Sequence, residues 1–217
     1  MRTSNLLPYL LLALLAPSCG QDSHSSLPEK EEGAIISIAP EINREAPSAS
    51  EHPLLLILGS TFSVARGLPP EQGYAALLEQ RLSAGQGPLR ALNASVANET
   101  AAGALERLPF LLVHPLKQAI LELGQADEAR HTAPKAFARD VNKLLRHIRT
   151  QHADLPVLIL ASTPTTSYYE GLTAAAAATG GVLLSSLLIE GTDVIRSDDA
   201  GLHRRLAEEL WPLVETE

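Results

Sequence analysis

From Leu54 to Val214, short aliphatic runs alternate with segments whose apolar residues recur every three or four positions, and this alternation leaves few folds open. Leu54 to Leu58 ends in Gly59 and precedes a helical pattern near Glu71 to Ser83. Leu89 to Asn93 is followed by a helix near Thr100 to Val113, and Ala119 to Gly124 by one near Pro134 to His152. In that helix Phe137, Val141, Leu144, Leu145 and Ile148 share a face, and Thr132 stands where an N-terminal cap is expected. Val157 to Ala161 and Val182 to Ser186 read as two further strands, and Ala174 to Ala178 as strong helix former between them. A last helix spans about Ala200 to Val214, with Leu202, Leu206, Leu210 and Leu213 facing inward and His203 one step off that face. Repeated strand–helix units impose a parallel sheet covered by helices on both sides. The prediction is a three-layer α/β/α doubly wound sheet of about five parallel strands, flavodoxin-like in plan. A composition 45% hydrophobic but only 4% aromatic suits the aliphatic interior of such a fold.

The first 50 or so residues obey a different pattern. Arg2, an apolar stretch from Leu6 to Ala16, and Pro17-Ser18-Cys19-Gly20 match the charged, apolar and small-residue regions of a secretory signal, and the apolar stretch is too short to span a bilayer. Cys19 is the sole cysteine, so no internal disulfide is available. The run Leu15-Ala16-Pro17-Ser18-Cys19 resembles a bacterial lipobox, which implies lipidation of Cys19 and anchoring to a membrane through it. Gly20 after the cysteine fits transport to the outer membrane, so the expected location is the bacterial cell envelope, periplasm-facing. Gln21 to Pro53 is rich in Ser, Pro and Glu and buries too little surface to order itself. The domain plan is a lipoprotein-type signal peptide over 1–18, a flexible tether over 19–53 and a folded domain over 54–217.

Ligands of doubly wound sheets bind at the carboxyl ends of the strands, which directs attention to the turns opening at Gly59, Asn93, Gly124, Ser162 and Ser186. The first brings Ser60, Thr61 and Ser63 to a sharp strand-to-helix turn. A net charge of −8 without a basic cluster gives no footprint for nucleic acid. The seven histidines show no His-x-x-x-His spacing, so neither metal nor cofactor is expected.

Several blocks then match in order. Leu56-Ile57-Leu58-Gly59, Gly67-Leu68-Pro69-Pro70-Glu71-Gln72-Gly73-Tyr74, Asn93-Ala94-Ser95-Val96 through Arg107-Leu108-Pro109, Leu121-Glu122-Leu123-Gly124 with Asp127 and Arg130, and Leu206-Ala207-Glu208-Glu209-Leu210-Trp211-Pro212 together resemble the SGNH (GDSL-type) hydrolases, in their small periplasmic thioesterase/arylesterase branch. The resemblance covers residues 54 to 217 and implies the SGNH hydrolase fold and ester chemistry. It also implies altered machinery. Where the family reads Gly-Asp-Ser-Leu, this chain reads Gly59-Ser60-Thr61-Phe62, putting Thr61 at the nucleophile and Ser60 at the aspartate. Asn98 takes the place of an oxyanion-binding glycine, and Ala126 that of an asparagine donor. The family's Asp-x-x-His has two candidate counterparts: a stretched Asp199 to His203 pair, or a deletion that leaves this segment as the start of the last helix. The phase set by Leu202 and Leu206 favours deletion.

A nucleophile, base and oxyanion donors act as a unit. With all of them altered, the sequence points to a lipid-anchored SGNH-like protein impaired in catalysis that binds or scaffolds at the envelope, with a small acyl or ester ligand in the old cleft. The alternative is an active esterase or thioesterase using Thr61 or Ser60 with His203. Asp127 and Arg130 read either as substrate contacts or as a structural pair, and Tyr168 and Tyr169 either as pocket lining or as packing. Protein partners are not specified by the sequence.

Overall fold

The computed structural model describes residues 52–85, 87–163, 165–180, 182–186 and 196–214. The segments expected to be a signal peptide and a tether, with Cys19, lie outside the described residues up to residue 51. In chain order the elements are β1 (Leu54–Leu58), α1 (Tyr74–Ala84), β2 (Arg90–Asn93), α2 (Ala101–Leu111), β3 (Leu116–Leu123), α3 (Gln125–Ala129), α4 (Pro134–Gln151), β4 (Val157–Ala161), α5 (Thr166–Thr179), β5 (Val182–Ser186) and α6 (Ala200–Val214). The strands form one parallel sheet in the order β2-β1-β3-β4-β5. This is the flavodoxin-like doubly wound order, and its switch point lies between β1 and β3.

Strand periodicity divides the core. Leu56 and Leu58 of β1, with Leu121 of β3 and Ile159 of β4, face α2, α4 and α5. Leu55 and Ile57, with Ile120 and Leu158, face α1 and α6. On the first side Phe137, Val141, Leu144 and Ile148 line one stripe of α4 and are fully buried. The Phe137 ring meets Tyr168 at a centroid distance of 5.2 Å and a tilt of 57°. Truncating such a ring to alanine typically costs about 3–5 kcal/mol.

β1 ends at Gly59 because nothing larger fits. A Cβ there would lie 2.5 Å from Ser63 Oγ and 2.7 Å from Glu122 Cβ, so the chain turns within van der Waals reach of β3. Gly124, at φ +118°, closes β3 in the same manner, with the Thr163 methyl only 2.6 Å from where its Cβ would stand.

Four details depart from the sequence reading. β3 begins at Leu116 rather than Ala119, because a register shift against β1 accommodates Lys117 and brings Gln118 opposite Leu55. The helix α3 was not anticipated, since five residues are too few to show a period. Thr132 does not cap α4; Ala133 holds that position beside Pro134, and the Thr132 hydroxyl serves Asp127 instead. His203 does not lie off the inward face of α6 but is fully buried on it.

Candidate active site

The turns after β1, β2 and β3 meet at the switch point, and Thr61 lies among them. Its Oγ1 accepts a hydrogen bond from the Asn98 backbone N–H at 3.0 Å and donates to Asn98 Oδ1 at 3.1 Å. The Thr61 amide makes no hydrogen bond among the described residues and remains free to donate. Thr61 is half-buried and Asn98 exposed, so the hydroxyl is accessible. Asn98 sits at φ +60°, a left-handed conformation that asparagine tolerates better than most residues.

The loop carrying Asn98 is held by the turn after β3. Asp127 Oδ2 accepts the first helical N–H of α2, from Ala101, at 2.9 Å. Arg130 donates through Nη2 to the Asn98 carbonyl at 3.0 Å. Burial raises the Asp127 pKa, partly offset by the Ala101 amide and the Thr132 hydroxyl. The two residues thus clamp the Asn98 loop rather than pairing with each other. Ala126, the preceding residue, is buried and offers only a methyl group.

Beneath Thr61 lies a charged residue that the sequence reading passed over. Glu122 of β3 is buried under the first turn, and its Oε2 accepts the amides of Ser60 at 2.7 Å and Ser63 at 3.2 Å. Burial raises its pKa, against the opposing pull of Ser162 and Ser63 hydroxyls and the two amides. The signal was present: a carboxylate stands within the apolar run from Ala119 to Leu123, and such a group persists only where donors meet it. Ser60 itself is buried with its hydroxyl unpartnered, so it does not face a substrate. Ser63 Oγ pairs with Tyr74 Oη at 2.7 Å, and Asn93 Nδ2 donates to the Ser63 carbonyl at 3.0 Å.

The structure does not bring His203 to either hydroxyl. Nδ1 accepts the Tyr74 backbone N–H at 3.1 Å, which leaves the proton on Nε2 to be donated to the Ser197 carbonyl at 3.0 Å. Burial lowers its pKa below the ordinary histidine value. Asp199 caps α6 instead of orienting the ring: its Oδ1 accepts from Leu202 N at 3.0 Å. Among the described residues no imidazole or carboxylate bonds the Thr61 hydroxyl.

Tyr168 packs in the core and donates its hydroxyl to the Thr132 carbonyl, while Tyr169 remains partly exposed. A concavity lined by Asp154, Leu155, Pro156 and Gly180 lies at the amino ends of β4 and β5, away from Thr61. No group of three or more His, Cys, Asp or Glu residues able to hold a metal occurs among the described residues.

No family model matches the chain. It is similar to Esterase TesA of Pseudomonas aeruginosa, with 31% identity over 172 residues, 73% of this chain and 86% of that protein. To an arylesterase of Vibrio mimicus it is 29% identical over 120 residues, 55% of this chain and 59% of the relative. The crystal structure of TesA superposes with a TM-score of 0.61 at 27% identity, covering 75% of this chain and 98% of that one. Esterase EstA from Pseudoalteromonas sp. shares the fold, with a TM-score of 0.63 at 23% identity over 73% of this chain and 94% of its own. The chain belongs to the SGNH (GDSL-type) hydrolase family.

Proposed function

We propose that this protein is a slow hydrolase of activated carboxylic esters or acyl thioesters, with Thr61 as the reacting hydroxyl. One observation carries the reading: Thr61 Oγ1 accepts the Asn98 N–H at 3.0 Å while the Thr61 amide is unengaged among the described residues, so the hydroxyl has one backbone donor on it and a second on its own residue left to donate. Attack of Oγ1 on an acyl carbon moves the carbonyl electrons onto oxygen, where the two amides meet the charge. The hydroxyl proton passes to water, and collapse expels the leaving group to give acyl-Thr61. A second water then releases the acid. Donors and positioning without a complete triad still give roughly 10³- to 10⁴-fold acceleration over water. With no imidazole bonded to the Thr61 hydroxyl among the described residues to protonate a departing alkoxide, aryl oxides and thiolates are the leaving groups favoured.

The names of the relatives, an esterase and an arylesterase, support ester chemistry for this chain. In this reading Cys19 is lipidated and ties the domain to the bacterial envelope, facing the periplasm from the outer membrane.

The test is hydrolysis of p-nitrophenyl acetate and a short acyl thioester by the purified domain. Turnover above the buffer rate that vanishes in Thr61→Ala supports the proposal; turnover unaffected by that change sinks it. A second reading, binding of an acyl or ester ligand without turnover, is favoured by the engagement of both His203 nitrogens with backbone groups. It predicts saturable ligand binding with no Thr61-dependent hydrolysis.

A further inference from the structure

Asn98 combines contacts that no other residue of the site has. Its N–H and its side-chain amide both converge on Thr61 Oγ1, at 3.0 and 3.1 Å. Its carbonyl is fixed by Arg130 at 3.0 Å, and its φ of +60° is the geometry that lets one residue present main chain and side chain together. Across the switch point, the buried methyl of Ala126 provides no donor.

We propose that the side chain of Asn98 is itself an oxyanion donor, supplying from the β2–α2 loop the amide that position 126 lacks. The inference deepens the reading of Thr61 as the reacting hydroxyl and rests on it. In the resting state Thr61 donates its proton to Oδ1. Once Oγ1 is bonded to the acyl carbon that proton is gone, and Oδ1 has nothing to accept. A half-turn about the Cβ–Cγ bond exchanges Oδ1 for Nδ2 at nearly unchanged shape and aims an N–H at the charged oxygen. The oxyanion then meets three donors, from Asn98 N, Asn98 Nδ2 and Thr61 N. The glycine-to-asparagine and asparagine-to-alanine differences implied by the family resemblance at positions 98 and 126 become one event: a donor moved from one loop to the loop facing it.

The decisive variant is Asn98→Gly, which keeps the backbone N–H, fits φ +60° at no steric cost and removes only the side chain. Aryl-ester hydrolysis is measured for the wild type, Asn98→Gly, Asn98→Asp and Asn98→Gly/Ala126→Asn, with melting temperatures as the folding control. We expect Asn98→Gly to lower kcat by about 10²-fold with KM little changed. Asn98→Asp, of equal shape but without N–H donors, falls at least as far, and Ala126→Asn in the glycine background recovers most of the loss. A glycine variant as fast as the wild type overturns the proposal. Should the wild type show no Thr61-dependent turnover, the functional reading fails by itself. Benzeneboronic acid, a tetrahedral-anion mimic, then tests Asn98 alone by calorimetry: weakening of at least about tenfold in Asn98→Gly supports it. Equal affinity, or no binding by the wild type, overturns it.

Discussion

The imidazole of His203 lies face to face with the Phe62 ring, centroids 4.3 Å apart and planes within 10° of parallel. Tyr74 continues the stack on a third element, its ring 5.8 Å from Phe62 and 6.0 Å from His203. A histidine at the start of the last helix thus serves as a rivet joining α6, α1 and the turn after β1. Both its nitrogens are consumed by main-chain partners.

Replacement of His203 by glutamine therefore costs folding more than chemistry. His203→Gln is expected to lower stability by about 2 kcal/mol, by denaturant titration, while leaving kcat/KM of the folded fraction within about tenfold. A fall beyond about 10³-fold in a folded variant would make the ring a base. The pH dependence has a definite sign. Burial depresses the folded-state pKa, so the unfolded chain binds the proton more readily. The stability contribution is full above roughly pH 6.5, the unfolded value, and is lost as the pH falls. His203→Gln lacks that acid-side slope.

Thr61→Ala removes the reacting oxygen and is expected to bring ester hydrolysis down to the buffer rate. Thr61→Ser keeps the hydroxyl and sheds the methyl that restricts χ1. Relief of about 1 kcal/mol in the attacking rotamer corresponds to roughly a fivefold gain in kcat. A serine variant slower than threonine would show that the methyl positions the nucleophile.

Glu122→Gln leaves an oxygen to accept the Ser60 and Ser63 amides but removes a buried charge. Because burial raises the Glu122 pKa, the folded state retains a proton that the unfolded chain releases above the ordinary carboxylate range. The wild type loses stability from this group as the pH rises out of that range, and the glutamine variant does not. The difference between the two, followed by urea titration at pH 4, 6 and 8, should grow with pH in favour of glutamine. A constant difference would argue against burial of the charge.

Asp127→Ala leaves the buried Ala101 amide without its acceptor and is expected to cost about 1–3 kcal/mol. Asp127→Asn retains an acceptor oxygen and should cost less than half as much. Both are read by thermal melting. Equal losses would mean that the charge, rather than the bond to Ala101, anchors the loop.

Much of the architecture was legible in the sequence because β1 and β4 are apolar runs bounded by punctuating residues, and α4 and α6 carry apolar stripes. Val157–Ala161, Val182–Ser186 and Ala200–Val214 fall where the pattern put them. The site was legible only in part. Motif position identified Thr61 and Asn98, but the contact between them joins residues 37 apart and requires a left-handed turn that no local pattern encodes. His203 was misplaced because helical phase alone does not reveal a neighbouring element; the Tyr74 amide and Phe62 ring make burial of an imidazole acceptable. Glu122 announced itself as a carboxylate in the apolar run from Ala119 to Leu123, but only the folded chain shows the amides that receive it.

The bare α-carbon at Gly59 has a consequence for how this molecule can diverge. Any added side-chain carbon there would collide with the serine and glutamate beneath the turn. Asn98, by contrast, lies at the surface, and glycine or aspartate can take its φ of +60°. Random mutagenesis should consequently return folded clones carrying glycine or aspartate at position 98 and almost none altered at position 59, so that chemistry drifts on this scaffold while the hinge supporting it stays frozen.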